Sequence, residues 1–324
     1  MQRRIGLGII FISLVLVIAY GGGGLLVYQQ AMTTGPQCQQ GLRAVWADNR
    51  PDAFVTGGVF DIRETDTTPY AMPHYETVTF PSRDDQVTIA GWYAPAPDTN
   101  NAPVVILAHG LNDCRLSPGV LLPAGMLHRA GFAVLLIDLR NHGDSQITTG
   151  RMSGGILEYR DVLGAWDWLV NERGIAPERI GLYGVSLGAA AVLIAAGEEP
   201  QVAAVWEDSS YVDIMRAIED ELIRNQFPLF LGPAAVTMGR VVDGIDITAR
   251  SPEAAARAMN GRPVFVAHSE ADTRMPVFHA RLLAEVTGTE AWIVPDSAHV
   301  QAVFDYADEY ETRLVDFFRT HLAG

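Results

Sequence analysis

The strongest chemical signal in the chain is the pentapeptide Gly184-Val185-Ser186-Leu187-Gly188. It follows an apolar stretch, Ile180–Tyr183, and precedes a helix-forming run, Ala189–Ala196. In that strand–turn–helix context G-x-S-x-G is a nucleophile elbow. The serine sits on a tight, strained turn that lifts its hydroxyl clear of the backbone, and the flanking positions come too close together for side chains. A serine alcohol is a weak nucleophile until a base takes its proton. Of the eight histidines, His74 lies in a polar connector and His321 near the end of the last helical run. His128 and His279 fall inside helical patterns, and His109 and His142 belong to Gly-containing turns. His268 ends a strand whose following loop already holds an acid. His299 remains, delivered by the loop Pro295-Asp296-Ser297-Ala298 after a short strand.

The acid that orients the base belongs between them in a Ser–acid–His order. Asp272 is the choice, in the loop His268–Pro276; Glu270 is the fallback and Asp208 a weaker one. Developing negative charge on a carbonyl oxygen calls for two backbone N–H donors. Leu187 follows the nucleophile and supplies one; Leu111, in His109-Gly110-Leu111 after another strand, supplies the second. Asn112 and Cys114 border this loop.

The inventory narrows the chemistry further. All 23 basic residues are arginine, which excludes Schiff-base and Ser–Lys mechanisms. The net charge is −15 with no basic cluster, which speaks against nucleic acid as a partner. No metal and no cofactor is called for. The two cysteines, Cys38 and Cys114, are too few for a disulfide framework or a Cys-rich metal site, and two unpaired thiols are the plainer expectation.

Positioning these residues requires a sheet. Tyr75–Phe80 and Val87–Tyr93 alternate with period two and read as a hairpin. Val104–Ala108, Ala133–Ile137, Ile180–Tyr183, Ala203–Trp206, Val264–Ala267 and Ala291–Val294 read as buried strands. Helical patterns at Pro118–Ala130, Ile156–Asn171, Val277–Val286 and Val300–His321 alternate with them. The expected class is α/β, a mostly parallel sheet with helices on both faces. Residues 211–250 break the alternation and read as a small cap over the sheet edge.

The N-terminus has another character. Arg3 and Arg4 precede an uncharged, mostly apolar run, Ile5–Tyr28, long enough for a transmembrane helix. A cleaved leader would have a shorter apolar core, about 7–15 residues, and a small-x-small site; Ala19-Tyr20-Gly21 is a poor one, and apolar residues resume at Leu25. The reading is an uncleaved single-pass anchor, weakened by Gly21–Gly24, with Arg3 and Arg4 cytoplasmic and the rest outside. The division is anchor 1–30, connector 31–73 and catalytic domain 74–324, with anchor and catalysis expected to be separable.

With these residues in place, the domain from Tyr75 onward resembles an α/β-hydrolase of the serine aminopeptidase and prolyl-oligopeptidase-like group. Matching features are His109-Gly110, the stretch Asp138–Ser145, the elbow at Ser186, the Asp272 loop with Pro276, and His299. The resemblance implies that Asp138–Ser145 is a structural turn. Three positions depart from the pattern: Asn141 stands for Gly, tolerable because Asn accepts left-handed backbone; Ser269 stands for Gly and Met275 for Val. The expected activity is hydrolysis of a carboxylic ester, or an amide, through an acyl-enzyme, on a small acyl ester or a peptide. An aminopeptidase-like enzyme would anchor the substrate amine on Glu219, Asp220 and Glu221, which otherwise form a solvated helix face. Acyl transfer uses the same groups. A catalytically dead binding module would show a broken triad, whereas every member is present here.

Overall fold

A computed structural model describes residues 2–35, 38, 40–58, 62–97 and 102–322. The side chains of Arg3 and Arg4, on which the orientation argument rests, lie outside the described part. The strands are β1 (Glu76–Pro81), β2 (Thr88–Ala94), β3 (Val104–Ala108), β4 (Ala133–Ile137), β5 (Ile180–Val185), β6 (Ala204–Asp208), β7 (Val264–Ser269) and β8 (Trp292–Val294). They form an eight-stranded sheet in the order β1-β2-β4-β3-β5-β6-β7-β8. β2 pairs antiparallel with β1 and β4; β3 to β8 pair in parallel. The parallel strands are apolar along their length because both faces are covered.

The helices are α1 (Gln2–Met32), α2 (Gln40–Trp46), α3 (Pro118–Arg129), α4 (Glu158–Asn171), α5 (Leu187–Glu198), α6 (Ile214–Arg224), α7 (Leu231–Val242), α8 (Pro252–Ala258), α9 (Phe278–Thr287), α10 (Ala302–Asp305) and α11 (Ala307–His321). One apolar layer joins β strands to α4, α5, α8 and α9 through residues such as Val162, Leu169, Val192, Ala256 and Leu283. The opposite layer holds α3, α10 and α11 through Leu121, Leu127, Phe304, Leu314 and Phe318. α5 is apolar all round and buried from Leu187 to Ala196, as a helix wedged between sheet and outer helices must be. A third cluster unites the end of α1 (Val27, Tyr28, Met32) with α6 and α7 (Ile218, Leu222, Ala235, Val236). Residues 211–250 thus carry two helices lying between β6 and β7.

Four expectations need correction. The last helical run is not continuous: it breaks at Tyr306, whose φ of −129° and ψ of 43° leave the helical region, giving α10 and α11. The connector, expected as a polar stretch, carries apolar residues packed on the body: Trp46, Phe54, Tyr70 and Met72 are buried. Cys38 and Cys114 are not free thiols; they form a disulfide with Cα atoms 5.4 Å apart, within the normal range for a bridge. Finally, the glycines of α1 do more than weaken it. A Cβ on Gly24 would stand 2.5 Å from the Cβ of Ala234, and one on Gly23 would stand 2.9 Å from a Leu231 methyl. The missing side chains let α1 and α7 approach closely, which offsets the cost in helix propensity. Within α1, Ser13–Met32 is long and apolar enough to cross a membrane by length and composition.

Candidate active site

Ser186 sits between β5 and α5 with φ 53° and ψ −116°, a region that a non-glycine residue adopts only under compulsion. The compulsion is backbone crowding. A Cβ on Gly184 would collide with the carbonyl of Gly188, and one on Gly188 with the carbonyl of Ala108 at the end of β3. The Ser186 N–H donates to the Asp208 carbonyl at 2.8 Å, tying the turn to β6. Only a chain without side chains at 184 and 188 can close this turn.

The structure brings Ser186, His299 and Asp272 into one hydrogen-bonded row. His299 Nε2 lies 3.0 Å from Ser186 Oγ, and His299 Nδ1 lies 2.6 Å from Asp272 Oδ2. The other oxygen of Asp272 accepts from the backbone N–H groups of Arg274 and Met275, each at 2.8 Å. Burial alone pushes the Asp272 carboxyl up. The hydrogen bond and charge of His299, the Met275 N–H and nearby His268 together outweigh it and hold the carboxyl below its ordinary range. The two alternative acids are elsewhere. Glu270 is exposed. Asp208 is buried and accepts from Tyr310 at 2.8 Å and Ser209 at 2.8 Å, inside a network with Trp206 and Tyr183.

Leu187 is the first residue of α5, so its N–H has no partner within the helix. Leu111 lies in the loop after β3, and Gly110 just before it packs against Ser186, where an added Cβ would be 3.4 Å from the serine Cβ. Two buried histidines hold this loop. His109 Nε2 accepts from the Leu139 N–H at 3.0 Å, and His142 Nε2 from the Asn112 N–H at 3.3 Å. Their other ring nitrogens face carbonyls, of Gly110 at 2.7 Å and Arg140 at 2.9 Å. Each must therefore be neutral, and burial pushes both imidazoles below their usual range. The sequence marked His109-Gly110 and the Asp138–Ser145 stretch only as turns, and their role in holding the loop after β3 carries no local signal. Asn141 adopts φ 63°, and Asp138 binds Arg115 and the Asp144 N–H, so the 138–145 stretch is a structural turn.

Ser186 lies at the junction of two recesses. One, of about 180 Å³, is mainly apolar and lies under α6 and the turn that follows it; Ile214, Ile218, Leu222, Phe227 and Met275 line it. The end of α1 contributes Val27, Ala31 and Met32 to its wall, beside Leu111, Leu187 and Tyr211. The second, of about 360 Å³, is bounded by Trp46, Ile62, Asn112, His299 and Phe304. Arg274 borders both. The α1 end is woven in: the Met152 N–H donates to the Met32 carbonyl at 2.7 Å, the Thr34 N–H to Gly150 at 2.9 Å, and the Gly35 N–H to Asn112 Oδ1 at 2.7 Å. The Cys38–Cys114 bridge adds a covalent tie to the loop after β3. These wall residues were invisible to sequence reasoning, which assigned them to the anchor and connector. Two of the three acids weighed as an amine anchor are engaged: Asp220 pairs with His279 at 2.8 Å, and Glu221 with Arg274 at 3.0 Å and Arg224 at 2.5 Å.

Residues 122–324, well over half of the chain, match the prolyl oligopeptidase family. The chain belongs to that family. It is a serine hydrolase of the α/β-hydrolase fold. Among curated relatives, the chain is 30% identical over 131 residues to an uncharacterized 31.7 kDa protein of the traX-finO intergenic region in Escherichia coli. That match takes in 40% of this chain and 44% of the relative, less than half the relative's length. It is 26% identical over 255 residues to the uncharacterized protein YfhR of Escherichia coli K12, covering 76% and 81%. Among solved structures, the Pyrococcus furiosus esterase Pf2001 superposes with a TM-score of 0.62 at 20% identity, over 83% of this chain and 99% of that one. At that identity the likeness speaks to fold alone.

Proposed function

We propose that the enzyme hydrolyses a carboxylic ester through an acyl-enzyme on Ser186. His299 takes the hydroxyl proton as Ser186 Oγ attacks the ester carbonyl, and returns it to the departing alcohol. Asp272 holds the imidazole in the required tautomer and stabilises its cationic form. The N–H groups of Leu111 and Leu187 receive the oxyanion. Water activated by His299 then releases the acid and restores Ser186. The observation that carries the reading is the position of Ser186 Oγ, 3.0 Å from a base and between an apolar cavity and a second recess. Such a junction separates an acyl chain from its leaving group. A peptidase reading is less well supported, because Asp220 and Glu221 already hold His279, Arg274 and Arg224.

α1 serves in this reading as an uncleaved membrane anchor, with the catalytic domain outside the cytoplasm. The Cys38–Cys114 bridge supports an oxidising compartment. Cleavage beyond Tyr28 would remove a cavity wall, so an intact-mass measurement showing such an N-terminus would defeat the anchor. For the chemistry, Ser186→Ala should abolish labelling by a fluorophosphonate and lower kcat on an aryl ester by about 10⁶. Persistent labelling of another serine would overturn the assignment.

A further inference from the structure

The pairing of α1 with α7 sets the height of the cavity above a bilayer. The two helices run side by side in the same direction. Tyr20 stacks on Phe230 with ring centroids 6.3 Å apart, Gly24 meets Ala234, and the Tyr28 hydroxyl donates to Asp243 at 2.5 Å. A helix needs about 20 apolar residues to cross a hydrocarbon core of roughly 30 Å. Counted from Ile5, that length ends near Gly24. The edge of the bilayer then falls level with the start of α7, and the turn between α6 and α7 reaches it.

The side chains of that turn suit the location. Ile223, at the end of α6, and Leu229 and Phe230, in the turn, are 61%, 51% and 62% exposed. No charged residue occurs from Asn225 to Gly239. Large apolar side chains exposed together, beside an aromatic residue at the end of a span, are the mark of a membrane-facing surface. Phe227, in the same turn, lines the apolar cavity, and so do Val27 and Ala31 of α1. At 1.5 Å per residue those α1 positions lie only about 5–10 Å beyond Gly24. Phe227 and Val27, close to that edge, thus line the same cavity as Ser186.

We propose that the α6–α7 turn seats Ile223, Leu229 and Phe230 in the leaflet beside α1, and that the substrate is a long-chain acyl ester lipid taken from that leaflet. The acyl chain enters along Phe227 and Val27 while the polar alcohol portion occupies the second recess. Ser186 Oγ forms the new ester as the lipid's alcohol leaves with the proton carried by His299; water then releases the fatty acid. This rests on Ser186 as nucleophile and α1 as an anchor.

The test uses the full-length protein in phosphatidylcholine vesicles with two substrates, water-soluble p-nitrophenyl butyrate and monooleoylglycerol held in the bilayer. Leu229→Asp with Phe230→Asp should slow monooleoylglycerol hydrolysis at least tenfold and leave the butyrate rate within twofold. Equal loss on both, or no loss on monooleoylglycerol, overturns the proposal. So does a wild-type enzyme that cleaves the butyrate and not the lipid. A second readout does not depend on turnover. Phe230→Trp in the Ser186→Ala background should add fluorescence that phosphatidylcholine brominated on its acyl chains quenches, beyond the quenching of the parent. Unquenched emission overturns membrane seating. Absence of butyrate turnover would instead defeat the esterase reading, and the quenching result would still decide where the turn sits.

Discussion

Two regions of this molecule meet at Ser186, and both depend on glycine for close approach, but to different ends. At the carboxyl edge of the sheet, Gly184 and Gly188 let backbone approach backbone so that one serine is held at a φ of 53°. Around it the groups are paired: His299 with Asp272, Asp272 with two N–H donors, His109 and His142 with the neighbouring loop. At the α1–α7 contact, Gly23 and Gly24 let helix approach helix through apolar surface, and the adjoining turn leaves Leu229 and Phe230 uncovered. The first region is directional and specifies a reaction. The second is dispersive and shape-determined, and in the proposed reading it governs what reaches the reaction. The contrast suggests that polar changes at the sheet edge will fall on the chemical step for every ester, whereas steric changes at α1 will discriminate by acyl chain.

The largest effect that would break this contrast lies at the acid. Asp272→Asn should lower kcat by about 10⁴, because a neutral amide favours the wrong tautomer and cannot stabilise the imidazolium. Glu270→Gln, at an exposed position, should change it less than twofold on the same ester. A greater loss from Glu270→Gln, with the fold intact by circular dichroism, would transfer the role.

A smaller effect is expected at the helix contact. Gly24→Leu puts a branched side chain where a Cβ already stands 2.5 Å from Ala234. Overpacking typically costs about 1–3 kcal/mol, here borne by the docking of α1 on α7. Since the displaced wall includes Val27 and Ala31, kcat/KM for a long-chain ester should drop about tenfold, a loss of roughly 1.4 kcal/mol, with a short ester nearly unaffected. Parallel rates on octanoyl and acetyl esters decide it; equal losses would mean that α1 acts through stability alone.

The smallest effect sharpens the polar side. His299 must be neutral to accept the Ser186 proton, so activity rises with pH. The Asp272 carboxyl is held below its ordinary 3.8, so it is already ionised throughout mild acid and adds no second proton to the profile. On the acid side of the profile, log kcat/KM should climb with a limiting slope of one. A slope of two would mean that Asp272 takes up a proton in that range and that burial, not the His299 contact, governs it.

The sheet edge was largely legible in advance. Val104–Ala108 and Ala133–Ile137 are strands with the bounds their apolar runs suggested, because a buried parallel strand carries its signature in consecutive residues. Ser186 is marked by spacing within five positions. Pairing His299 with Ser186 required only that a known chain order place two loops at one edge. The α1 region was not legible. Its apolar length announced a span, but that the last turns, Val27–Met32, form part of the cavity has no local signal. Nothing local in the connector marked Trp46 or Met72 as buried against the body.

The amino-acid sequence by itself determined the alternating elements, the strained elbow and the absence of lysine-based chemistry, since each follows from residue type and spacing over a few positions. Tertiary structure alone decided three further matters. It joined Cys38 to Cys114 across 76 residues, set Gly24 on Ala234, and made the end of α1 a wall beside Ser186. These depend on which surfaces meet when the chain packs, and close packing is a property of three-dimensional shape that no one-dimensional period encodes.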